Sequence, residues 1–322
     1  MSIVFVGTPD FAVPSLRRLI ADGHQIAAVI TQPDRAAGRH RHRLTPPAVK
    51  QAALELGLEV RQPVSLRDPL VVAELRALRP EVMIVVAYGQ ILRQDVLDIP
   101  PQGVLNVHAS LLPKYRGASP IAAAILAGDN ETGVSIMLMD AGMDTGPVLA
   151  QRHAPISLHD TAGSLSERLA ALGAELLVET LPRWLAASIE PQLQDNSRAS
   201  VTRLIRKEDG AIDWTLSAVD IWRRVRAYSP WPGAYTALNG EQITIWRAWP
   251  LDSGSNAPPG TVVALPPATT AEARPASFAV QTGHGLLAVL ELQRAGRRPV
   301  TSAEFARGAP GLIGERLTTG GK

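Results

Sequence analysis

An amide and an imidazole lie two residues apart in the sequence, at Asn106 and His108. The apolar residues around them predict a strand over Val104–His108, and because side chains alternate along a strand, both polar groups share one face. The loop Ser110–Gly117 follows at once, so the pair is expected at the carboxyl end of its strand. An amide donor beside an imidazole is suited to hydrogen bonding and proton transfer. A hydrogen-bonded structural pair explains it as well, and both interpretations stay open.

A carboxylate follows the next predicted strand, Gly133–Met139, in a glycine-rich loop that contains Asp144. At the same edge of a sheet this carboxylate can orient His108 and stabilise its protonated form, which is general acid–base chemistry. A turn or helix-cap aspartate is an equally good explanation of Asp144 taken alone. The chain has no cysteine, which excludes thiolate nucleophiles, disulfides and Cys-ligated zinc.

The elements that must position these residues alternate between strand and helix, which predicts an α/β fold. The expected architecture is a Rossmann-like, mainly parallel sheet with helices on both faces, and ligands of such sheets bind beyond the carboxyl ends of the strands. The predicted strands are Ser2–Val6, Gln25–Thr31, Leu58–Arg61, Val82–Ala87, Val104–His108 and Gly133–Met139. The predicted helices are Ala12–Asp22, Pro47–Leu56, Val71–Leu78, Ser119–Ala127 and 161–187, the last broken or bent around Pro182.

After about residue 206 the pattern of predicted secondary structure changes, which predicts a second, smaller domain. Short strands separated by Gly/Pro turns indicate a β-barrel of the OB-like type. We therefore expect a catalytic domain over 1–189, a linker over 190–205 and a barrel domain over 206–322. The predicted elements are the helix Ser217–Ala227, a hairpin turn at Asn239-Gly240, and the strands Ile243–Trp249, Gly260–Leu265, Ser277–Gln281 and Leu286–Gln293.

Composition and charge narrow the class of protein. The 322 residues are 46% hydrophobic and carry a formal net charge of +2, and residues 206–322 are mildly basic, with 13 Lys+Arg against 10 Asp+Glu. That excess fits ordinary surface variation or a polyanion partner. No apolar stretch is long enough to cross a bilayer and the N-terminus does not read as a secretory signal, so we expect a cytoplasmic protein without a membrane partner.

Four segments together resemble the formyltransferases that use 10-formyltetrahydrofolate. They are Asn106-x-His108, Ser110-Leu111-Leu112-Pro113, Tyr115-Arg116-Gly117 and Asp144-Thr145-Gly146. The resemblance implies that Asn106, His108 and Asp144 are catalytic, that 10-formyltetrahydrofolate is the co-substrate, and that no metal takes part. It also implies a folate crevice formed by Gly89, Gln90, Ile91, Leu92, the Ser110–Pro113 run and Asp140.

Features outside this shared core resemble the branch of the family that acts on methionyl-tRNA. The loop after the second predicted strand carries several arginines, and a loop of this kind contacts the acceptor arm of initiator tRNA in that branch; by charge alone it is also explained as a solvated loop. The C-terminal segments Ile212-Asp213-Trp214 and 225–234 resemble the start of a tRNA-binding domain. The resemblance implies formylation of the α-amino group of methionine on initiator methionyl-tRNA by a protein that we expect to be monomeric. The implied tRNA-binding residues are Arg35, Arg39, Arg41, Arg43, Arg206 and Lys207.

Other functions remain possible from the sequence alone. A folate-dependent formyltransferase acting on a sugar-nucleotide amine would share the catalytic residues, but it gives no reason for the arginine-rich loop. A non-catalytic RNA-binding protein would not need the intact Asn, His and Asp set. A nicotinamide dehydrogenase would require a Gly-x-Gly-x-x-Gly phosphate loop, which does not follow the first strand.

Overall fold

The computed structural model of the chain describes residues 2–36, 44–267 and 270–319. These residues form two compact units. The first comprises Met1–Pro120, Glu131–Pro155 and Ser166–Thr202, and the second comprises Ile121–Asn130, Ile156–Leu165 and Arg203–Lys322. The boundaries predicted at residues 189 and 205 stay a prediction. No helix among the described residues is both long enough and apolar enough to cross a membrane.

Strands and helices alternate along residues 2–202, as the sequence pattern predicts. The strands are β1 (Ser2–Gly7), β2 (Gln25–Ile30), β3 (Arg35–Ala36), β4 (Leu44–Thr45), β5 (Val60–Arg61), β6 (Val82–Val86), β7 (Val104–His108), β8 (Arg116–Gly117), β9 (Glu131–Leu138), β10 (Val148–Pro155) and β11 (Val201–Thr202). The helices are α1 (Val13–Ala21), α2 (Ala48–Glu55), α3 (Pro69–Ala77), α4 (Gln94–Leu97), α5 (Pro120–Ala127) and α6 (Ala162–Leu185).

The first unit is built on a seven-stranded sheet in the order β10-β9-β7-β6-β1-β2-β5. The five strands from β7 to β5 are parallel, and β9 runs antiparallel to both of its neighbours. Every residue of β6 is buried, as expected for a central parallel strand that is covered on both faces. Strand β7 lies between β6 and β9, so the Asn106–His108 pair sits near the middle of the sheet rather than at its side.

Several elements along residues 2–202 were not predicted, among them the short strands β3, β4, β8 and β11 and the short helix α4, and two longer elements differ from expectation. Strand β10 was not predicted, because it is an edge strand whose polar residues and mixed burial hide the alternation. Helix α6 was expected to break or bend at Pro182, yet it is assigned as one helix from Ala162 to Leu185. Pro182 lies in its last turn, where the missing N–H removes one hydrogen bond and few residues follow.

The described residues of the second unit after Arg203 form an antiparallel sheet with two short α-helices. Its strands are β12 (Ala234–Leu238), β13 (Glu241–Leu251), β14 (Val262–Val263), β15 (Phe278–Gln281), β16 (Leu286–Arg294) and β17 (Val300–Thr301), and its helices are α7 (Ala218–Ala227) and α8 (Ser302–Arg307). The sheet order is β12-β13-β16-β15-β14, with β17 beside β16. Strand β12 was not predicted, and β14 is shorter than the expected Gly260–Leu265.

Local chemistry explains how this sheet turns and closes. Asn239 and Gly240 have φ values of 51° and 82°, the left-handed pair of a tight hairpin turn, so the predicted turn between β12 and β13 is confirmed. The C-terminal segment bonds to both edges of the sheet: Thr318 exchanges two backbone hydrogen bonds of 2.9 Å with Ala237, and the Leu317 N–H donates to the Gly260 carbonyl at 2.8 Å. These bonds bridge the two edge strands, so the sheet curls around its apolar core as a small barrel.

Candidate active site

Strand β7 presents two buried polar side chains at its carboxyl end. Asn106 is 8% exposed and His108 is 6% exposed. They alternate with the core residues Leu105 and Val107, which confirms the predicted strand and its alternation. Within the described residues the Asn106 side-chain amide makes no hydrogen bond. A buried amide without a protein partner is available to a ligand, since leaving it unpaired costs free energy.

The His108 ring lies between a carbonyl and a carboxylate. Its Nε2 atom is 3.0 Å from the carbonyl oxygen of Tyr115, and its Nδ1 atom is 3.6 Å from Oδ2 of Asp144. A carbonyl only accepts hydrogen bonds, so Nε2 must carry the hydrogen that it donates to Tyr115. The proton that can be exchanged is therefore the one on Nδ1, on the side that faces Asp144.

Asp144 is held in an uncommon backbone conformation by its loop. Its φ is 53°, in the left-handed region that few residues other than glycine adopt. Its Oδ2 accepts a hydrogen bond of 2.7 Å from the Gly117 N–H, which orients the carboxylate towards His108. Strained backbone of this kind persists where the surroundings over-determine it, and it clusters at functional sites.

The loop that carries Asp144 is shaped by a second carboxylate, Asp140. Its Oδ1 accepts from the Gly142 N–H at 3.0 Å and from the Thr145 hydroxyl at 2.7 Å. Asp140 was predicted as a folate contact. The structure uses one of its oxygens to form the turn, so any contact with a ligand falls to the rest of this exposed carboxylate.

The predicted Ser110–Pro113 folate segment uses its polar groups internally. The Ser110 hydroxyl is fully buried and donates to the Lys114 carbonyl at 2.6 Å. The Leu112 N–H donates to the Ser135 hydroxyl at 3.1 Å, and the Leu112 side chain is buried. Leu111 and Pro113 are half-buried. This run therefore forms the rim of the site, and the groups that it can present to a ligand are mainly backbone N–H and C=O groups.

The predicted Gly89–Leu92 folate segment behaves in the same way. Gln90 donates to the Val64 carbonyl at 3.1 Å and accepts from the Leu66 N–H at 3.3 Å, so its amide is committed to a neighbouring loop. Leu92 lies in the apolar core, whereas Ile91 is 66% exposed. Gly89 has a φ of 85°, which favours glycine and leaves its backbone open to close approach.

Tyr88 lies just before that segment, and the sequence assigned no role to its side chain. It is 2% exposed, and its hydroxyl has no hydrogen-bond partner in the part of the chain that the structure describes. Burial raises the pKa of Tyr88 to about 12, so the phenol is neutral at physiological pH. Its carbonyl accepts from Thr8 and Gln32, which ties the strand end to the neighbouring loops.

The basic residues implied to bind tRNA are only partly described. Arg39, Arg41 and Arg43 lie outside the described residues. Arg35 is exposed, and its Nη2 is 3.3 Å from the Gln32 amide oxygen. It begins the short β3–β4 ribbon, whose strands lead into and out of the arginine-rich loop.

Arg206 and Lys207, in the second unit, are exposed. The Arg206 N–H donates to Oδ2 of Asp209 at 2.7 Å, and the Arg206 charge also acts on that carboxylate, whereas the Lys207 side chain has no hydrogen-bond or ion-pair partner among the described residues. The neighbouring Arg203 differs, because it forms a two-pronged pair with Asp209 at 2.5 and 2.7 Å. The Arg203 hydrogen bonds lower the pKa of Asp209 to about 2. Arg206 and Lys207 are thus exposed cations of this turn that are not locked into a two-pronged ion pair as Arg203 is, and a polyanion can reach both.

One part of the site was missed by the sequence reasoning. Residues 194–202 lie within the predicted linker, but their side chains bond to the loops around His108 and Asp144. Gln194, Asn196 and Ser200 are ordinary residues of a polar loop, so nothing in their type or spacing marks them. Only the folded structure brings them to the site.

Comparison with known proteins gives the family. The formyl transferase family model matches residues 1–181, and the model of the formyl transferase C-terminal domain matches residues 204–310. The methionyl-tRNA formyltransferase of Roseiflexus sp. (strain RS-1) is 52% identical over 319 residues, which cover 98% of this chain and 95% of that protein. The methionyl-tRNA formyltransferase of Chloroflexus aurantiacus is 51% identical over 308 residues, covering 96% and 97%.

A solved structure agrees with the architecture. An N-formyltransferase from Helicobacter canadensis, in a complex with folinic acid and dTDP-3-aminofucose, superimposes with a TM-score of 0.64 at 20% identity and covers 89% of this chain and 98% of that one. Likeness at this identity shows the fold alone, and it confirms the expected fold class. The two family models and the full-length relatives give one conclusion: the chain belongs to the formyl transferase family.

Proposed function

We propose that the chain transfers a formyl group from 10-formyltetrahydrofolate to the α-amino group of methionine on initiator methionyl-tRNA. The observation that carries the proposal is the meeting of Asn106, His108 and Asp144 at one end of β7, in a chain that matches methionyl-tRNA formyltransferases over nearly its whole length. All three side chains come from one chain, which supports activity as a monomer. The acceptor sets the location, because initiator tRNA is formylated in the cytoplasm, where translation begins.

The first step is attack by a neutral amine on the formyl carbon. The nitrogen lone pair forms the new C–N bond, and the carbonyl electron pair moves to the oxygen, which becomes an oxyanion. Asn106 donates a hydrogen bond to that oxyanion from its buried side chain, whose amide no described protein group occupies. Water is largely excluded at this depth, so the bond stabilises the developing charge more than it would in solution.

Proton transfer completes the reaction. The attacking nitrogen loses a proton, and the oxyanion electron pair re-forms the C=O bond as the bond between the formyl carbon and the folate nitrogen breaks. The folate nitrogen leaves with the electron pair of the broken bond and takes up a proton. His108 exchanges its proton at Nδ1, because Nε2 is held by the Tyr115 carbonyl. Asp144 faces Nδ1 and balances the charge of the protonated ring, and at 3.6 Å it leaves room for the ring to bond a substrate atom instead.

The folate binds in the crevice bordered by the Gly89–Leu92 segment, the Ser110–Pro113 run and the Asp140 loop. Their polar side chains are mostly engaged within the protein, so recognition relies on main-chain groups and on the exposed Ile91. A flat ring suits such a site, since exposed apolar surface covers its face while backbone N–H and C=O groups bond its edge.

The acceptor assay tests the proposal directly. The purified protein is supplied with 10-formyltetrahydrofolate and either methionyl initiator tRNA or an amino sugar nucleotide, and formylated product is measured. We expect formylmethionyl-tRNA and no formylated sugar. Formylation of the sugar alone would contradict the proposed acceptor.

The same assay measures the role of Asn106. Replacing Asn106 by Ala should lower kcat by a factor of ~100–1,000, because one oxyanion donor is lost while the fold remains intact. The matched control is Asn256→Ala, which removes an exposed amide from a loop of the second unit and should leave kcat unchanged. An Asn106→Ala enzyme with normal kcat would show that the amide does not meet the oxyanion.

The double variant Arg206→Ala/Lys207→Ala tests the tRNA contacts. Each phosphate contact that is lost should reduce the slope of log affinity against log salt by ~1, so we expect the slope for tRNA to fall by ~2. Because neither side chain takes part in the proposed chemistry, kcat should not change. The control with equal loss of charge is Arg67→Ala/Arg76→Ala, on the exposed surface of the first unit. Equal salt slopes for both double variants would exclude a specific contact at Arg206 and Lys207.

A further inference from the structure

Both groups that face the His108 ring are held in place by one segment of the chain. We call residues 194–202 the strap. It lies within the first unit, after α6 and a polar turn, and it includes β11, which pairs in parallel with β8 next to the loop that follows His108. The sequence pattern predicts a linker over this stretch. The contacts of its side chains give it a different role.

The first contact fixes Asp144 through Gln194. The Gln194 Nε2 atom donates to the Asp144 carbonyl at 2.8 Å and to the Gly146 carbonyl at 2.7 Å. Its Oε1 atom accepts from Nε of Arg116 at 3.0 Å. Carbonyls only accept and a guanidinium only donates, so this orientation of the amide is the one that satisfies all three partners. Gln194 thereby pins the backbone on both sides of Thr145, where Asp144 has its left-handed φ.

Arg116 anchors the strap from the other side. Its side chain is 6% exposed, and it has no carboxylate partner among the described residues. Its Nη2 donates to the Asn196 side-chain oxygen at 2.8 Å, in addition to the bond from Nε to Gln194. A buried guanidinium needs such acceptors, because hydrogen bonds to a charged group are stronger than neutral ones and their loss leaves the charge unsatisfied. The strap is therefore bound firmly to the loop that follows β7.

The second contact fixes the carbonyl that bonds to His108. The Ser200 hydroxyl accepts from the Tyr115 N–H at 2.8 Å, and the Ser200 carbonyl accepts from the Arg116 N–H at 2.8 Å. Tyr115 has a φ of 61°, again in the left-handed region. The Arg116 N–H belongs to the same peptide group as the Tyr115 carbonyl, so its bond to the Ser200 carbonyl orients the Tyr115 carbonyl towards Nε2 of His108, 3.0 Å away. The Ser200 hydroxyl holds the preceding peptide group and so keeps Tyr115 in its left-handed conformation. One segment thus holds the neighbours of both ring nitrogens.

We propose that the strap is a positioning element of the active site, in which Gln194 orients Asp144 and Ser200 orients the Tyr115 carbonyl, so that together they fix the tautomer and the direction of the His108 ring. This inference rests on the proposed function for its kinetic consequence. Gln194 and Ser200 touch no reacting atom. Their loss lowers the rate of the chemical step, since a small misplacement of a catalytic group costs a large factor in rate, and it leaves substrate binding nearly unchanged.

The kinetic test uses two variants of Gln194. Gln194→Ala removes all three hydrogen bonds. In Gln194→Glu one carboxylate oxygen still accepts the hydrogen bond from Arg116 and forms an ion pair with its buried guanidinium. The other oxygen replaces the N–H donor, so it repels the carbonyl oxygens of Asp144 and Gly146. We expect kcat to fall roughly 10- to 100-fold in both, with each KM changed less than about threefold. Gln194→Glu should keep the melting temperature of the wild type, because the new carboxylate forms an ion pair with the buried Arg116 guanidinium that offsets the two lost hydrogen bonds.

A purely structural role for the strap predicts a different pattern. Pairing Arg116 would then suffice, so Gln194→Glu would keep both its melting temperature and its kcat, and that result overturns the proposal. The matched control is Gln192→Ala, two residues earlier and exposed, where one bond to the Glu190 carbonyl is lost. It should leave kcat unchanged.

Ser200→Ala should lower kcat, and Ser200→Thr, which keeps the hydroxyl, should restore it.

A measurement on the ring itself separates this inference from the proposed function. Nitrogen-15 NMR of His108 reports its tautomer and surroundings without any substrate. We expect the His108 ring signals to move in Gln194→Ala and Ser200→Ala and to stay in place in Gln192→Ala. Unchanged ring signals in the first two variants would overturn the strap's role even if the enzyme formylates methionyl-tRNA. Displaced signals together with failure of the wild type in the acceptor assay would reject the proposed function and support the strap.

Discussion

The site depends on the hydrogen bond between Nε2 of His108 and the Tyr115 carbonyl. This bond decides which ring nitrogen is occupied and therefore which one can exchange a proton. This bond requires the Tyr115 carbonyl to point towards the His108 ring, and the left-handed φ of 61° at Tyr115 gives the backbone that direction. Asp144, at 53°, occupies a similar conformation on the other side of the ring. Two unfavourable backbone conformations are thus maintained around one imidazole, which is the kind of strain that a protein keeps where function needs a fixed geometry.

The arrangement of the sheet explains how these groups meet. Strand β7 is central, so Asn106 and His108 are buried and end beside the loops of their neighbours. The sequence analysis expected the strand before Asp144 to end at the same edge of the sheet as β7, and this was wrong. Strand β9 runs antiparallel to β7, so the loop after β9 starts beside the beginning of β7 rather than beside His108. Asp144 nevertheless reaches the ring, because the loop after β9 is fastened at Gly117 and Gln194 instead of following the sheet.

Sequence reasoning was successful where a local rule decides the structure. Period-two alternation placed Asn106 and His108 on one strand and one face, and the Asn239-Gly240 turn followed from the two residues alone. The edge strand β10 was not predicted, because its polar residues are as common in a solvent-exposed loop as in a strand. The role of the strap could not be predicted either. Gln194 and Ser200 form hydrogen bonds with residues that are distant in sequence, and the same side chains occur in solvent-exposed loops without such partners. The folate assignments at Gln90 and Ser110 stay predictions, and the structure adds that the side-chain amide and hydroxyl are committed to protein partners.

The central claim is that an amide, an imidazole and a carboxylate act on one formyl group at the end of β7. A crystal structure of the protein with a stable formyl-folate analogue tests it most directly. The account predicts the formyl oxygen within about 2.7–3.1 Å of the Asn106 side-chain nitrogen, with the formyl carbon on the Nδ1 side of His108. A formyl group bound away from Asn106, or one facing the Nε2 side of the ring, would contradict it.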